Sequence, residues 1–201
     1  MLRLSLDIEG LNYMNKIINL LAGDKSLEET KKELFELSKT YDLVELSIPF
    51  SDPIAQGNTH QEANARALKR FNGSGIPMIL KMIQEVKEQI DLPIIVSTYL
   101  NPVFKYGFEK FCEECHKMKI DGIHLFDCPY EESKEYIEIA NDKNVNVVLT
   151  LSYSNIERMK NIIEHAKGYL YVIPSKDEKE NQKMMEMIDL NTKIEIVMKN
   201  K

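Results

Sequence analysis

No apolar run in this chain approaches the roughly 18 residues that a membrane span needs. The N-terminus also has none of the charged, apolar and cleavage regions of a signal peptide. Both absences lead to the expectation of a cytoplasmic protein with no membrane association. Positive charge is in deficit: 26 Lys and Arg stand against 32 Asp and Glu, for a net charge of −6. An electrostatic grip on nucleic acid needs a concentrated surplus of Lys and Arg, so nucleic-acid binding is excluded. Cysteine is sparse, and Cys112, Cys115 and Cys128 are an odd set in a reducing compartment, so no disulfide framework is expected. Glycine is sparse too, and none follows Gly168.

What is present suits one folded domain over residues 1–201. Apolar residues make up 43% and charged residues 29%, too much of the first for disorder. Glu28, Glu29, Lys31, Lys32 and Glu33 mix charges at helical spacing, which reads as a solvated helix face.

Apolar, β-branched runs alternate with stretches whose apolar residues recur every three or four positions, the pattern of βα units. Strands are predicted over about 16–21, 42–48, 93–98, 122–126, 145–150, 168–173 and 193–198. Their near-continuous apolar character suits strands covered on both faces. Helical stripes run through Leu27, Leu34 and Leu37, through Ile79, Ile83 and Val86, through Phe108, Phe111, Cys112 and Cys115, and through Ile156, Met159, Ile162 and Ile163. Further helices fit about 130–141 and 177–189, and Thr59 with Glu62 suggests a capping box for a helix over 60–71. The gap between the second and third strands is wide enough for two helices.

Such repeats curl into either a closed barrel or a doubly wound sheet, and periodicity does not separate the two. A complete barrel needs an eighth strand, whereas this chain stops just after the seventh. The alternating Leu2, Leu4, Leu6 and Ile8 suggest that residues 1–14 form an extra strand or cap, too close to the next strand for a parallel crossover.

The run Val44-Glu45-Leu46-Ser47-Ile48-Pro49-Phe50-Ser51-Asp52-Pro53-Ile54-Ala55-Gln56-Gly57 resembles the signature of the tryptophan synthase alpha subunit, E-L-G-I-P-F-S-D-P-L-A-D-G. Ala22-Gly23-Asp24, Thr98-Tyr99-Leu100-Asn101-Pro102-Val103-Phe104 and Asp121-Gly122-Ile123-His124-Leu125-Phe126-Asp127-Cys128-Pro129 are similar to other parts of that family, in its order. The resemblance covers about residues 14–175. It implies a TIM-type (β/α) barrel of about seven parallel strands, incomplete or irregularly closed. It also implies cleavage of indole-3-glycerol phosphate to indole and glyceraldehyde 3-phosphate, no cofactor, and a beta-subunit partner that receives the indole.

Residue by residue, the resemblance assigns Glu45 as the acid/base carboxylate. Gln56 stands where the family has a catalytic aspartate, and an amide neither carries negative charge nor exchanges a proton at neutral pH. Together with the missing glycine-rich phosphate loops, this implies weak or lost activity. The alternative is a catalytically silent paralogue that binds a partner or a small indole-type ligand. Tyr99, Asp127 and Tyr171 match positions that line or support the indole pocket, although a core aromatic or a helix cap accounts for each equally well. Asn101, Pro102 and Phe104 match the segment that meets the beta subunit.

Cys112-Glu113-Glu114-Cys115-His116 satisfies the C-x-x-C-H pattern of haem attachment. Both cysteines fall on one apolar helical stripe, so they read as core thiols. His60, His124 and His165 are scattered without zinc-site spacing, and no metal is expected.

Overall fold

The computed structural model describes residues 16–54, 57–189 and 195–198. Seven strands, β1 (Ile17–Leu21), β2 (Leu43–Ser47), β3 (Ile94–Thr98), β4 (Gly122–Leu125), β5 (Val147–Ser152), β6 (Tyr169–Ile173) and β7 (Glu195–Met198), lie in one sheet. Every neighbouring pair is parallel, and the spatial order follows the chain order. A doubly wound sheet reverses direction partway. This one never does, and so it curls the same way throughout.

The curl is visible in the packing. One interior cluster joins Leu43, Ile95, Val148, Tyr169 and Val197, with Ile17 beside them, drawing on β1, β2, β3, β5, β6 and β7. Side chains from strands so far apart in the sheet meet only on a concave face. β4 contributes Gly122 there, because a Cβ would lie 2.9 Å from Cγ2 of Val148. The alternate residues, among them Val44, Leu46, Ile94, Val96, Ile123, Leu149, Leu170, Val172 and Ile196, point outward into the main core beneath the helices. The sheet is therefore the expected TIM-type (β/α) barrel, with no ladder joining β1 to β7 among the described residues. Residues 1–14, expected as an added strand or cap, lie outside the described residues.

The helices are α1 (Leu27–Leu37), α2 (Asn58–Phe71), α3 (Ile76–Lys87), α4 (Leu100–Tyr106), α5 (Phe108–Lys117), α6 (Lys134–Asp142), α7 (Ile156–His165) and α8 (Glu178–Asp189). The helix α1 starts where the Ser26 side chain accepts from the Glu29 N–H, and α7 where Asn155 accepts from that of Arg158. Two helices fill the long gap after β2, as the spacing requires. The capping box at Thr59 and Glu62 does not form: α2 begins two residues earlier, with Gly57 at its cap and no side-chain hydrogen bond there. Helix α4 is absent from the periodicity because its seven residues are too few to show a stripe. Cys112 and Cys115 are both fully buried, and burial pushes the Cys112 thiol up to about 12. They pack in the main core.

A candidate active site inside the barrel

Above the apolar layer, the barrel interior turns polar. The period of two that turns Leu43 inward also turns Glu45 and Ser47 inward, Ile95 is followed by Ser97, Gly122 by His124, Val148 by Thr150, and Tyr169 by Tyr171. The register places Asn19 beside Glu45, Ser47 beside Ser97, Ser97 beside His124, and Thr150 beside Tyr171.

Glu45 is the centre of this layer and is only 4% exposed. A carboxylate so placed is costly to bury unless each oxygen finds a donor. Oε1 lies 2.8 Å from Nδ1 of His124, and Oε2 accepts from the Asn19 side-chain amide at 3.1 Å. The other ring nitrogen of His124, Nε2, is 2.9 Å from the Thr150 hydroxyl. Asn19 also donates to Ser47 Oγ at 3.0 Å, and the Ser47 and Ser97 hydroxyls are 2.9 Å apart. Five strands thus share one hydrogen-bonded chain of side chains. Its components are buried, apart from Asn19, which is exposed, and Thr150, which is partly so.

Aromatic rings roof this layer. The His124 ring is 4.6 Å from that of Tyr171 and 4.8 Å from that of Phe126, and Phe126 leads through Tyr99 to Phe50. The Tyr171 phenol is pushed well above its usual range by burial and then by the charge of Glu45. Tyr99 is 3% exposed, and its hydroxyl accepts from the Ile54 N–H at 2.8 Å, which ties the loop after β2 to the end of β3. Burial raises its phenol as well.

Of the residues singled out in the sequence, Glu45 and Tyr171 come together around His124, and Tyr99 adjoins them through Phe126. Asp127 uses one carboxylate oxygen in the capping role that the sequence also allowed: its Oδ1 accepts from the Leu100 N–H at 2.7 Å, at the start of α4. Gln56 lies outside the described residues. On the rim, Asn101 is exposed and Phe104 is 67% exposed, whereas Pro102 is buried and offers no surface. His124 and its neighbours Asn19, Ser97 and Thr150 were not legible as a site, because four single polar residues on four strands form no local motif. The available signal was a polar residue at an inward position in successive apolar strands. Among the described residues no group of three or more side chains could hold a metal ion, and no helix is long and apolar enough to cross a membrane.

The family model for the tryptophan synthase alpha chain matches residues 12–197. The tryptophan synthase alpha chain of Geotalea uraniireducens is 37% identical over 156 residues, which is 77% of this chain and 58% of that one. That of Prochlorococcus marinus (strain MED4) is 36% identical over 156 residues, 77% of this chain and 55% of that one. The chain therefore spans less than two thirds of the length of these curated relatives. Among solved structures, the tryptophan synthase a2b2 complex of Pyrococcus furiosus has a chain matching with a TM-score of 0.76 at 28% identity, over 91% of this chain and 86% of that one. Tryptophan synthase subunit alpha of Legionella pneumophila matches with a TM-score of 0.79 at 29% identity, over 90% and 70%.

Proposed function

Because the chain belongs to the tryptophan synthase alpha chain family, we propose that it acts as an alpha-type lyase, splitting indole-3-glycerol phosphate into indole and glyceraldehyde 3-phosphate at a reduced rate. The observation that carries this reading is the buried, inward-facing Glu45 carboxylate, set beneath a cluster of aromatic rings inside the barrel. In this retro-aldol reaction the ring carbon gains a proton, and the glycerol hydroxyl loses one. The O–H electrons become the aldehyde C=O, and those of the broken C–C bond return to the ring. Glu45 is the carboxyl group that handles the proton at the ring carbon.

The reaction also gathers positive charge at the ring nitrogen, which a second carboxylate would stabilise. Gln56 can accept a hydrogen bond there but brings no charge. Loss of one positioned acid or base typically lowers a rate by ~10²–10⁴, which is the reduction expected here. A beta-subunit partner fits the exposed Phe104, on helix α4 after β3, and the exposed Ile54, on the loop after β2, whose N–H donates to the Tyr99 hydroxyl.

A second reading is a binding module without turnover. It is favoured by the prior engagement of Glu45, each of whose oxygens already has one protein partner, His124 or Asn19. The purified chain, incubated with indole-3-glycerol phosphate alone and with a beta subunit, decides between them through released indole. Turnover in either mixture supports the lyase; binding of the substrate without any indole supports the module.

A further inference from the structure

Glu45 has two oxygens in unequal surroundings. Oε1 faces His124, which is 2% exposed and held from three sides: Nε2 by the Thr150 hydroxyl, and the ring by Tyr171 and Phe126. Oε2 faces the Asn19 amide, on an exposed residue that divides its donors between Glu45 and Ser47. The first contact is fixed by packing, and the second is the one that an entering molecule can displace.

We propose that His124 is a positioning residue for Glu45, its Nδ1–H clamping Oε1 so that Oε2 is the oxygen presented to the substrate. With any carboxyl proton carried on Oε2, the oxygen offered to the substrate, Oε1 only accepts, so this contact requires the proton on Nδ1. The Thr150 hydroxyl is compatible, since it donates to a bare Nε2 or accepts from a protonated one. The ionisable side chains against the His124 ring are Glu45 and Tyr171, from β2 and β6. The catalytic half of the proposal rests on the lyase reading; the contact itself does not.

Two measurements test it separately. Long-range proton–nitrogen correlation on chain labelled at histidine reports which ring nitrogens carry protons, and His124→Gln assigns the signal by its loss. A proton on Nδ1 is expected; an Nε2–H ring with a bare Nδ1 overturns the clamp, whether or not the chain releases indole. In steady-state indole release, His124→Leu is expected to lower kcat about 10²-fold. Its KM should stay within about threefold of the parent. Gln at the same position keeps an N–H donor for Oε1 and should return kcat to within about fivefold of the parent. Equal losses in kcat for the Leu and Gln variants overturn the positioning role. Should the Leu variant not fold, the Gln variant decides instead, a loss of 10² or more there counting against the proposal. Absence of indole from the parent itself would defeat the lyase reading, and the ring spectrum would still settle the contact.

Discussion

Glu45 and His124 stand on strands separated by β3, yet Oε1 and Nδ1 meet at 2.8 Å, with side chains that are 5% and 2% exposed. The inward curl of the sheet creates this contact, since neither residue is the other's ladder neighbour. It couples the polar chemistry of the interior to the curvature of the sheet. The sheet must keep its curvature for the carboxylate to stay paired.

That coupling predicts a non-additive stability cycle. Breaking a buried pair by removing one partner leaves the other without compensation, at a cost of ~3–5 kcal/mol. His124→Leu should therefore unfold at markedly lower urea. Glu45→Leu should do the same, but the double variant should lose less than the sum, with a coupling of about 1 kcal/mol or more. Strict additivity in urea denaturation would mean that the two side chains do not interact in solution.

A second prediction concerns position 56. If the missing charge at Gln56 is what slows the reaction, then Gln56→Asp should raise the rate of indole release about tenfold or more, because the carboxylate restores an acceptor with charge at the ring nitrogen. An unchanged rate would place the limitation elsewhere.

The fold and the site differed in how much of each the sequence made legible. Strands covered on both faces announce themselves as apolar runs, and all seven appear where Ile17, Leu43, Ile94, Gly122, Val147, Tyr169 and Glu195 begin them, within two residues of the expected starts. The order of the strands was not legible, since an alternation of β and α carries no strand order; the resemblance around Glu45 supplied it. Glu45 stood out as a candidate because it sits in a contiguous signature. His124 was not, because its meaning lies in a partner 79 positions away. Asp127 was read as a pocket or capping residue, and only the contact with the Leu100 N–H shows the cap.

Gly23 makes a third prediction. Its φ is +76°, and a Cβ there would fall 2.1 Å from the Phe71 ring at the end of α2. Its N–H also donates to Thr30 Oγ1 at 3.0 Å, so the backbone cannot shift without losing that bond. Substitution by alanine adds a left-handed penalty of roughly 1–2 kcal/mol to the cost of moving the ring. Gly23→Ala should lower stability by about 2 kcal/mol or more in urea denaturation. A neutral effect would show that α2 docks more loosely than the contact implies.

The rim supplies a fourth. Phe104 is 67% exposed, so its truncation to alanine should change stability by less than about 0.5 kcal/mol. If the same side chain anchors a beta subunit, Phe104→Ala should weaken that association roughly tenfold or more, as measured by titration calorimetry. Undiminished affinity would remove this face from the interface.

Alkaline stability follows from the buried thiols and phenols. Burial raises the Cys112 thiol from 9.0 to about 12, and lifts Cys115 well above its usual value. Burial, followed by the hydrogen bond to Glu114, raises the Tyr106 phenol from 10.0 to about 12. In each case the folded chain keeps its proton to higher pH than the unfolded chain does. Stability from these groups is then complete below the unfolded value, near 9 for the thiols, and drains away as pH climbs toward 12. Each fully buried thiol should cost about 1 kcal/mol between pH 9 and 10. Urea midpoints should accordingly fall over that interval, and Cys112→Ala, although less stable at neutral pH, should fall less steeply. A colorimetric thiol reagent should modify Cys112 and Cys115 only as fast as the chain opens, since the thiolate it attacks is scarce in the folded state. Midpoints that held level or rose above pH 9 would contradict the burial of these groups, and with it the packing of α5 against the sheet.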